Sequence, residues 1–133
     1  MISRNQLKNM EKNLTRGLLD IIVLNLLRHQ SMHGYKIINN IRKNFGIYFG
    51  PSTIYPFLKE LENKKCIESN WETEHERPRK VYNITKEGNQ ILTGCEYTFN
   101  QICRKLNAMG LNHQLRIHKE IPDNQPIETQ IIC

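Results

Sequence analysis

The sequence has no pair of cysteines at C-x-x-C spacing. Its four cysteines, Cys66, Cys95, Cys103 and Cys133, are scattered, which excludes the common zinc and dithiol motifs. Nothing resembles a secretory signal peptide, so reduced thiols in a cytoplasmic protein are the expectation. There is no long hydrophobic run. The longest, Gly17 to Leu27, carries Asp20 and Asn25 and falls short of the about 20 apolar residues that span a bilayer. A transmembrane helix is excluded. No nucleophile–base–orienter set and no phosphate loop stands out, so the sequence is not read as an enzyme and implies no cofactor. His29 and His33 have a spacing that can place two imidazoles on one metal, but no third ligand lies near, and no metal site is read. Internal repeats are absent. Acidic residues are in the minority, 13 against 19 Lys and Arg, for a net charge of +6. Such a balance favours a polyanionic partner, nucleic acid or an anionic membrane surface, although a merely soluble basic protein has the same composition.

A chain of 133 residues is one domain by length, with a core small enough that dimerisation would help it. Residues 1–14 read as a basic arm or helix. If helical, Lys8, Lys12 and Arg16 share one face, either solvated or turned to phosphates or a dimer partner. Thr15 to Arg28 is apolar nearly all round, as in a helix at the centre of a domain. Gly34, Ile37, Ile38, Ile41 and Phe45 mark the buried stripe of a second helix, which Gly46 stops. In "PSTIYPFLKELEN", Ile54, Phe57, Leu58 and Leu61 repeat that template, with Ser52, Pro56, Lys59 and Asn63 opposite. Proline fits the first helical turn, so Pro56 places the start at Ser52 or Thr53, either of which can cap it. "CIESNWE" and "KVYNIT" read as a hairpin with Arg77, Pro78 and Arg79 at its tip. Thr85 then reads as the N-cap of a helix reaching Met109. Its seam of Ile91, Cys95, Thr98, Ile102 and Met109, with Leu92, Phe99 and Leu106 beside it, is spaced as in a helix that packs on a partner helix. Residues 110–133 are polar, hold Pro122 and Pro126, and are expected to be irregular.

Three helices, a hairpin and a long helix make a mainly α fold with a small β-hairpin (α+β), in winged helix-turn-helix order. In that architecture the third helix offers its N-terminal residues to the major groove and the hairpin, or wing, lies on the backbone. The stretch 15–85 is the expected DNA-binding domain and 86–109 the dimerisation helix. Three motifs are specific. "HGYKI" at His33–Ile37, "STIYPFLKELENK" at Ser52–Lys64 and "RPRKVYNITKEG" at Arg77–Gly88 resemble, in that order, the second-helix opening, recognition helix and wing-to-last-helix segment of PadR-like transcriptional regulators. The resemblance implies a homodimeric repressor on a palindromic site, joined through the last helix with help from the first. It departs at two places: Ser52 replaces a frequent Gly, and Lys65 stands where the family usually has a Gly. Members that bind flat aromatic drugs carry a Trp in the last helix, whereas the single Trp here is Trp71, near the wing.

The DNA-contact candidates are Ser52, Thr53, Tyr55, Lys59 and Asn63 on the recognition helix, Arg77, Arg79 and Lys80 on the wing, and Lys36. The dimerisation candidates are Ile91, Cys95, Thr98, Phe99, Ile102, Leu106 and Met109. His33 and Tyr35 are read as packing residues. The partners implied are double-stranded DNA and a second copy, with no membrane, while an unknown small-molecule effector stays open. A winged-helix module for protein interaction, or one that coats DNA non-specifically, is the alternative. A thiol or metal sensor built on Cys95 and Cys103, with His113 or His118, is a lesser one.

Overall fold

The computed structural model describes residues 1–74 and 76–111. They form five α-helices, α1 (Arg4–Gly17), α2 (Leu19–His29), α3 (Gly34–Phe45), α4 (Pro51–Asn63) and α5 (Lys86–Leu106), and three strands, β1 (Met32–His33), β2 (Ile67–Glu72) and β3 (Arg79–Ile84). The chain divides into two compact units at Leu92/Thr93, within α5. The architecture is the expected one, mainly helical with a small sheet. Of the tail expected to be irregular, Gly110 kinks the chain out of helical geometry, with a φ of 116°, in the turn Asn107–Leu111. The rest, residues 112–133 with His113 and His118, lies outside the described residues.

Helix α1 is opened by a reciprocal capping box between Ser3 and Gln6, which satisfies two amides that have no intrahelical partner. No residue of α1 is buried. The sequence reads Thr15 to Arg28 as one helix, but the structure divides it at Leu18. Gly17 is a poor helix former, and a break there lets polar α1 stay outside while α2 enters the core with Leu19, Ile22, Val23, Leu24 and Leu27. A metal pair at His29 and His33 fails for a related reason: α2 ends at His29 and Gln30 is extended, so the two imidazoles do not share a helix. Among the described residues no group of three possible metal ligands occurs.

Lys12 and Arg16 do share a face. Their cations lie 5.6 and 5.7 Å from the ring of Phe49, itself 1% exposed. Helix α3 buries Gly34, Ile37, Ile38 and Ile41 and ends at Gly46, whose φ of 68° is the left-handed turn that glycine accepts cheaply. Phe45, expected in the buried stripe, is 49% exposed, because it lies at the last residue, where the chain turns away from the core.

Helix α4 begins earlier than expected. Gly50 is the N-cap and Pro51 the first helical residue, with no side-chain cap. Pro51, not Pro56, takes the position where a missing N–H is harmless. Pro56 lies inside the helix, so the Ser52 carbonyl has no N–H to accept from it. The helix tolerates this on its exposed side because Ile54, Leu58 and Leu61 are buried on the other, each worth about 1.5–3 kcal/mol.

After α4, Lys65 occupies the glycine position of the motif and takes a φ of +63°. A left-handed conformation costs a non-glycine residue about 1–2 kcal/mol. Lys65→Gly is therefore expected to stabilise the protein by about 0.5–1 kcal/mol, after allowing for glycine's greater freedom when unfolded. A higher urea midpoint with unchanged slope would show it.

Strands β2 and β3 form the hairpin, pairing Ile67 with Ile84 through Glu72 with Arg79. The sequence misses β1. It adds Met32 and His33 to the far edge of β3, in the order β1-β3-β2. Two residues are too few to show an alternating pattern. At the base of the hairpin, the Thr85 hydroxyl lies 2.6 Å from the Lys65 carbonyl oxygen and accepts from the Gly88 N–H at 3.0 Å. One side chain thus caps α5, as expected, and ties it to the exit of α4.

Candidate nucleic-acid interface

The 3.6-residue period that buries Ile54, Leu58 and Leu61 puts Ser52, Tyr55, Lys59 and Asn63 on the exposed side of α4, with Thr53 half-buried at its edge. Tyr55, Lys59 and Asn63 stand one turn apart and form one wall of a groove. The opening of α3 and the wing, with Trp71 and Arg79, form the rest. Sequence spacing alone names most of these residues. Their convergence with the wing is a product of folding.

Tyr55 is held in place. Its ring makes an edge-to-face contact with Tyr35, with centroids 6.4 Å apart at 78°. A Cβ on Gly34 would come 2.5 Å from its hydroxyl oxygen, so the glycine of "HGY" gives the phenol room to lie on the backbone. Burial, and then Tyr35, raise the Tyr55 pKa. The phenol stays neutral, able both to donate and to accept. Tyr35, read from sequence as a packing residue, is 61% exposed and packs on α4 rather than in the core.

His33 has two neighbours that sequence separation hides. Its Nδ1 accepts from the Lys36 backbone N–H at 3.3 Å, capping α3, and its Nε2 lies 3.3 Å from Arg79 Nη1. A neutral imidazole accepts at one nitrogen only. While it caps α3, Nε2 carries the proton and Arg79 is a close neighbour, not a donor to it. Burial, then the Arg79 and Lys36 cations, hold the His33 pKa below its ordinary 6.5, against a weaker opposing pull from Glu72. The unfolded chain then binds the proton more readily. The stabilising contribution is present above the unfolded value of about 6.5 and is lost as pH falls through the lower, folded value. Stability of the wild type is expected to fall between about pH 7 and pH 5 more steeply than that of His33→Asn, which keeps a capping acceptor without titrating. Urea midpoints across that range measure the difference.

The basic candidates are not equivalent. Arg77 and Arg79 are exposed at the wing. Lys80 instead points back at α4, its Nζ 3.6 Å from a Glu62 carboxylate oxygen and 5.7 Å from the Tyr82 ring centroid. Lys36 is half-buried, with Nζ 3.2 Å from the Gln30 amide oxygen.

Along α5, Ile91, Ile102 and Leu106 are 49, 49 and 44% exposed, and Met109, in the following turn, is 83% exposed. Thr98 is exposed, while Cys95 and Phe99 are half-buried. Leu92 is fully buried. Cys66 and Cys95 are not in disulfides, in line with the expectation of reduced thiols for those two. Among the described residues no helix is long and apolar enough to cross a membrane.

The sequence and the fold have counterparts in known proteins. The sequence profile of the Transcriptional regulator PadR-like family matches residues 23–94. A PadR family transcriptional regulator from Eggerthella lenta superposes with a TM-score of 0.73 at 28% identity, over 79% of this chain and 92% of that one. A PadR family transcription regulator from Clostridium difficile gives 0.64 at 28% identity, over 69% of this chain and 97% of its own. An uncharacterised Lysinibacillus sphaericus protein is 32% identical over 84 residues, 61% of this chain and 77% of that protein. The match covers helix-turn-helix, wing and the start of α5 in one continuous block, and the protein belongs to the PadR-like family of transcriptional regulators.

Proposed function

We propose that the protein is a cytoplasmic, homodimeric repressor that binds a palindromic operator. Helix α4 enters the major groove, with Ser52, Thr53, Tyr55, Lys59 and Asn63 toward the bases and nearby phosphates. The wing lies on the backbone through Arg77 and Arg79, with Lys36 and Lys80 at the flanks. The observation that carries the reading is the polar, hydroxyl-bearing side of α4, exposed beside a basic wing while its other side is locked in the core.

The exposed seam of Ile91, Ile102, Leu106 and Met109, with Cys95, Thr98 and Phe99, supports dimerisation through the last helix, because stripes of this size are normally covered. Leu7, Met10 and Leu14 on α1, 48, 60 and 71% exposed, support a contribution from the first helix. A small-molecule effector is compatible with this reading.

Selection of bound duplexes from fragmented genomic DNA near physiological salt tests it. The expected result is an enriched palindrome whose half-sites lie about one helical turn apart, as two-fold symmetry requires. Binding only at low salt and alike to every fragment would overturn it, and would leave a protein-interaction or DNA-coating module.

A further inference from the structure

The last turn of α4 holds a carboxylate that DNA contact does not use. Glu62 stands next to Asn63, yet a carboxylate on a surface meant for phosphates is repelled by them. Its oxygens are occupied elsewhere. The Ser69 hydroxyl, on β2, lies 3.0 and 3.2 Å from its two carboxylate oxygens, to which it donates, and the Lys80 ammonium, on β3, lies 3.6 Å away. The Glu62 and Lys80 side chains are 32 and 39% exposed, so the pair is partly withdrawn from water and less screened than a surface pair. Ser69 faces Tyr82 in the hairpin register, and Lys80 faces Trp71. One side chain at the end of α4 therefore grips both strands of the wing at mid-height, above the fixed base formed by Thr85.

We propose that Glu62 is a positioning residue that fixes the angle of the wing to the recognition helix, so that the α4 stripe and Arg79 reach one DNA segment together. This rests on the DNA-binding reading under Proposed function. It has an unusual signature. Removing the carboxylate takes a negative charge from the surface and releases Lys80, which strengthens attraction to any duplex. The same change loosens the wing, which weakens selection of one sequence. Affinity for random DNA and preference for the operator should move in opposite directions. Ser69→Ala loosens the wing without changing charge.

The test compares full-length wild type, Glu62→Gln and Ser69→Ala. Affinities are measured for the palindrome recovered by selection and for a scrambled duplex of equal length, and amide hydrogen exchange in β2 and β3 is measured in the free proteins. Glu62→Gln should bind the scrambled duplex more tightly and lose about tenfold in its operator-to-scrambled ratio, the scale of one charge-assisted hydrogen bond. Ser69→Ala should leave scrambled binding unchanged and lower the ratio. Both should raise wing exchange while α2 and α3 keep wild-type protection, the pattern of local and not global loosening. Wild-type ratios with wild-type wing exchange in both variants would overturn the proposal, as would a parallel loss on both duplexes with exchange raised throughout. Faster wing exchange in a protein whose wild type shows no operator preference supports the brace and rejects the DNA reading.

Discussion

Gly88→Ala is expected to cost about 3 kcal/mol or more, at the upper end of what overpacking usually does, and to lower Tm by about 10 °C in a chain of this size. Gly88 is buried in the first turn of α5, where a Cβ would fall inside the van der Waals sphere of the Cys66 carbonyl oxygen and also meet the Ile84 side chain. A flexible side chain could move away, but the backbone oxygen cannot. It accepts the N–H of Thr85 at 3.0 Å, and the Thr85 hydroxyl lies within 3.0 Å of it as well. Relieving the clash means separating α5 from the exit of α4, and with it the base of the wing. Gly94→Ala is the control: a Cβ there meets nothing within 4 Å, and alanine is the better helix former by about 1 kcal/mol. It should be neutral or stabilising. Thermal and urea unfolding of the two variants measures the contrast. Equal stabilities would mean that the close approach of α5 to Cys66 is not what the glycine of the motif is for.

Removing both wing arginines is expected to have the largest effect on DNA. Arg77→Ala with Arg79→Ala should weaken binding to operator and random duplex alike. It should lower the slope of log affinity against log salt by about 0.9 for each phosphate that is no longer neutralised. The reasoning is electrostatic: arginines on phosphates position the protein and carry no sequence information. The structure sharpens this expectation at Lys80, which the sequence groups with the arginines. Its charge is partly offset by Glu62 at 3.6 Å, so Lys80→Ala should change the slope by less than either arginine does. Lys59→Ala, on the exposed stripe of α4, should instead lower the preference for the operator as well as the affinity. Titrations at several salt concentrations separate the three outcomes. An unchanged slope in the double arginine variant would remove the wing from the DNA backbone.

Much of this protein is visible in its linear sequence because the relevant forces are local. The periods of Ile37–Ile41 and Ile54–Leu61 identify α3 and α4 and the sides they bury, since a helix returns a side chain to the same face every three or four residues. Gly46 ends α3 and Thr85 starts α5 through backbone chemistry that is legible in the residue type. Local chemistry can still be ambiguous, however. Either Pro51 or Pro56 can be the proline of a first turn, and spacing alone points to the wrong one. Phe45 satisfies the period but falls at a helix end, where the period no longer decides burial.

Element order, the polar side of α4, the basic wing tip and the membership implied by three ordered motifs can all be read along the chain. How distant residues meet cannot, because it depends on packing. Strand β1 exists because β3 offers it an edge. His33 lies beside Arg79, 46 positions away, Tyr55 lies on Gly34, and Glu62 grips Ser69 and Lys80. None of these pairs lies within one helix or one strand. Each requires α3, α4 and the hairpin to be packed on one apolar core, which brings their polar ends together at a single edge.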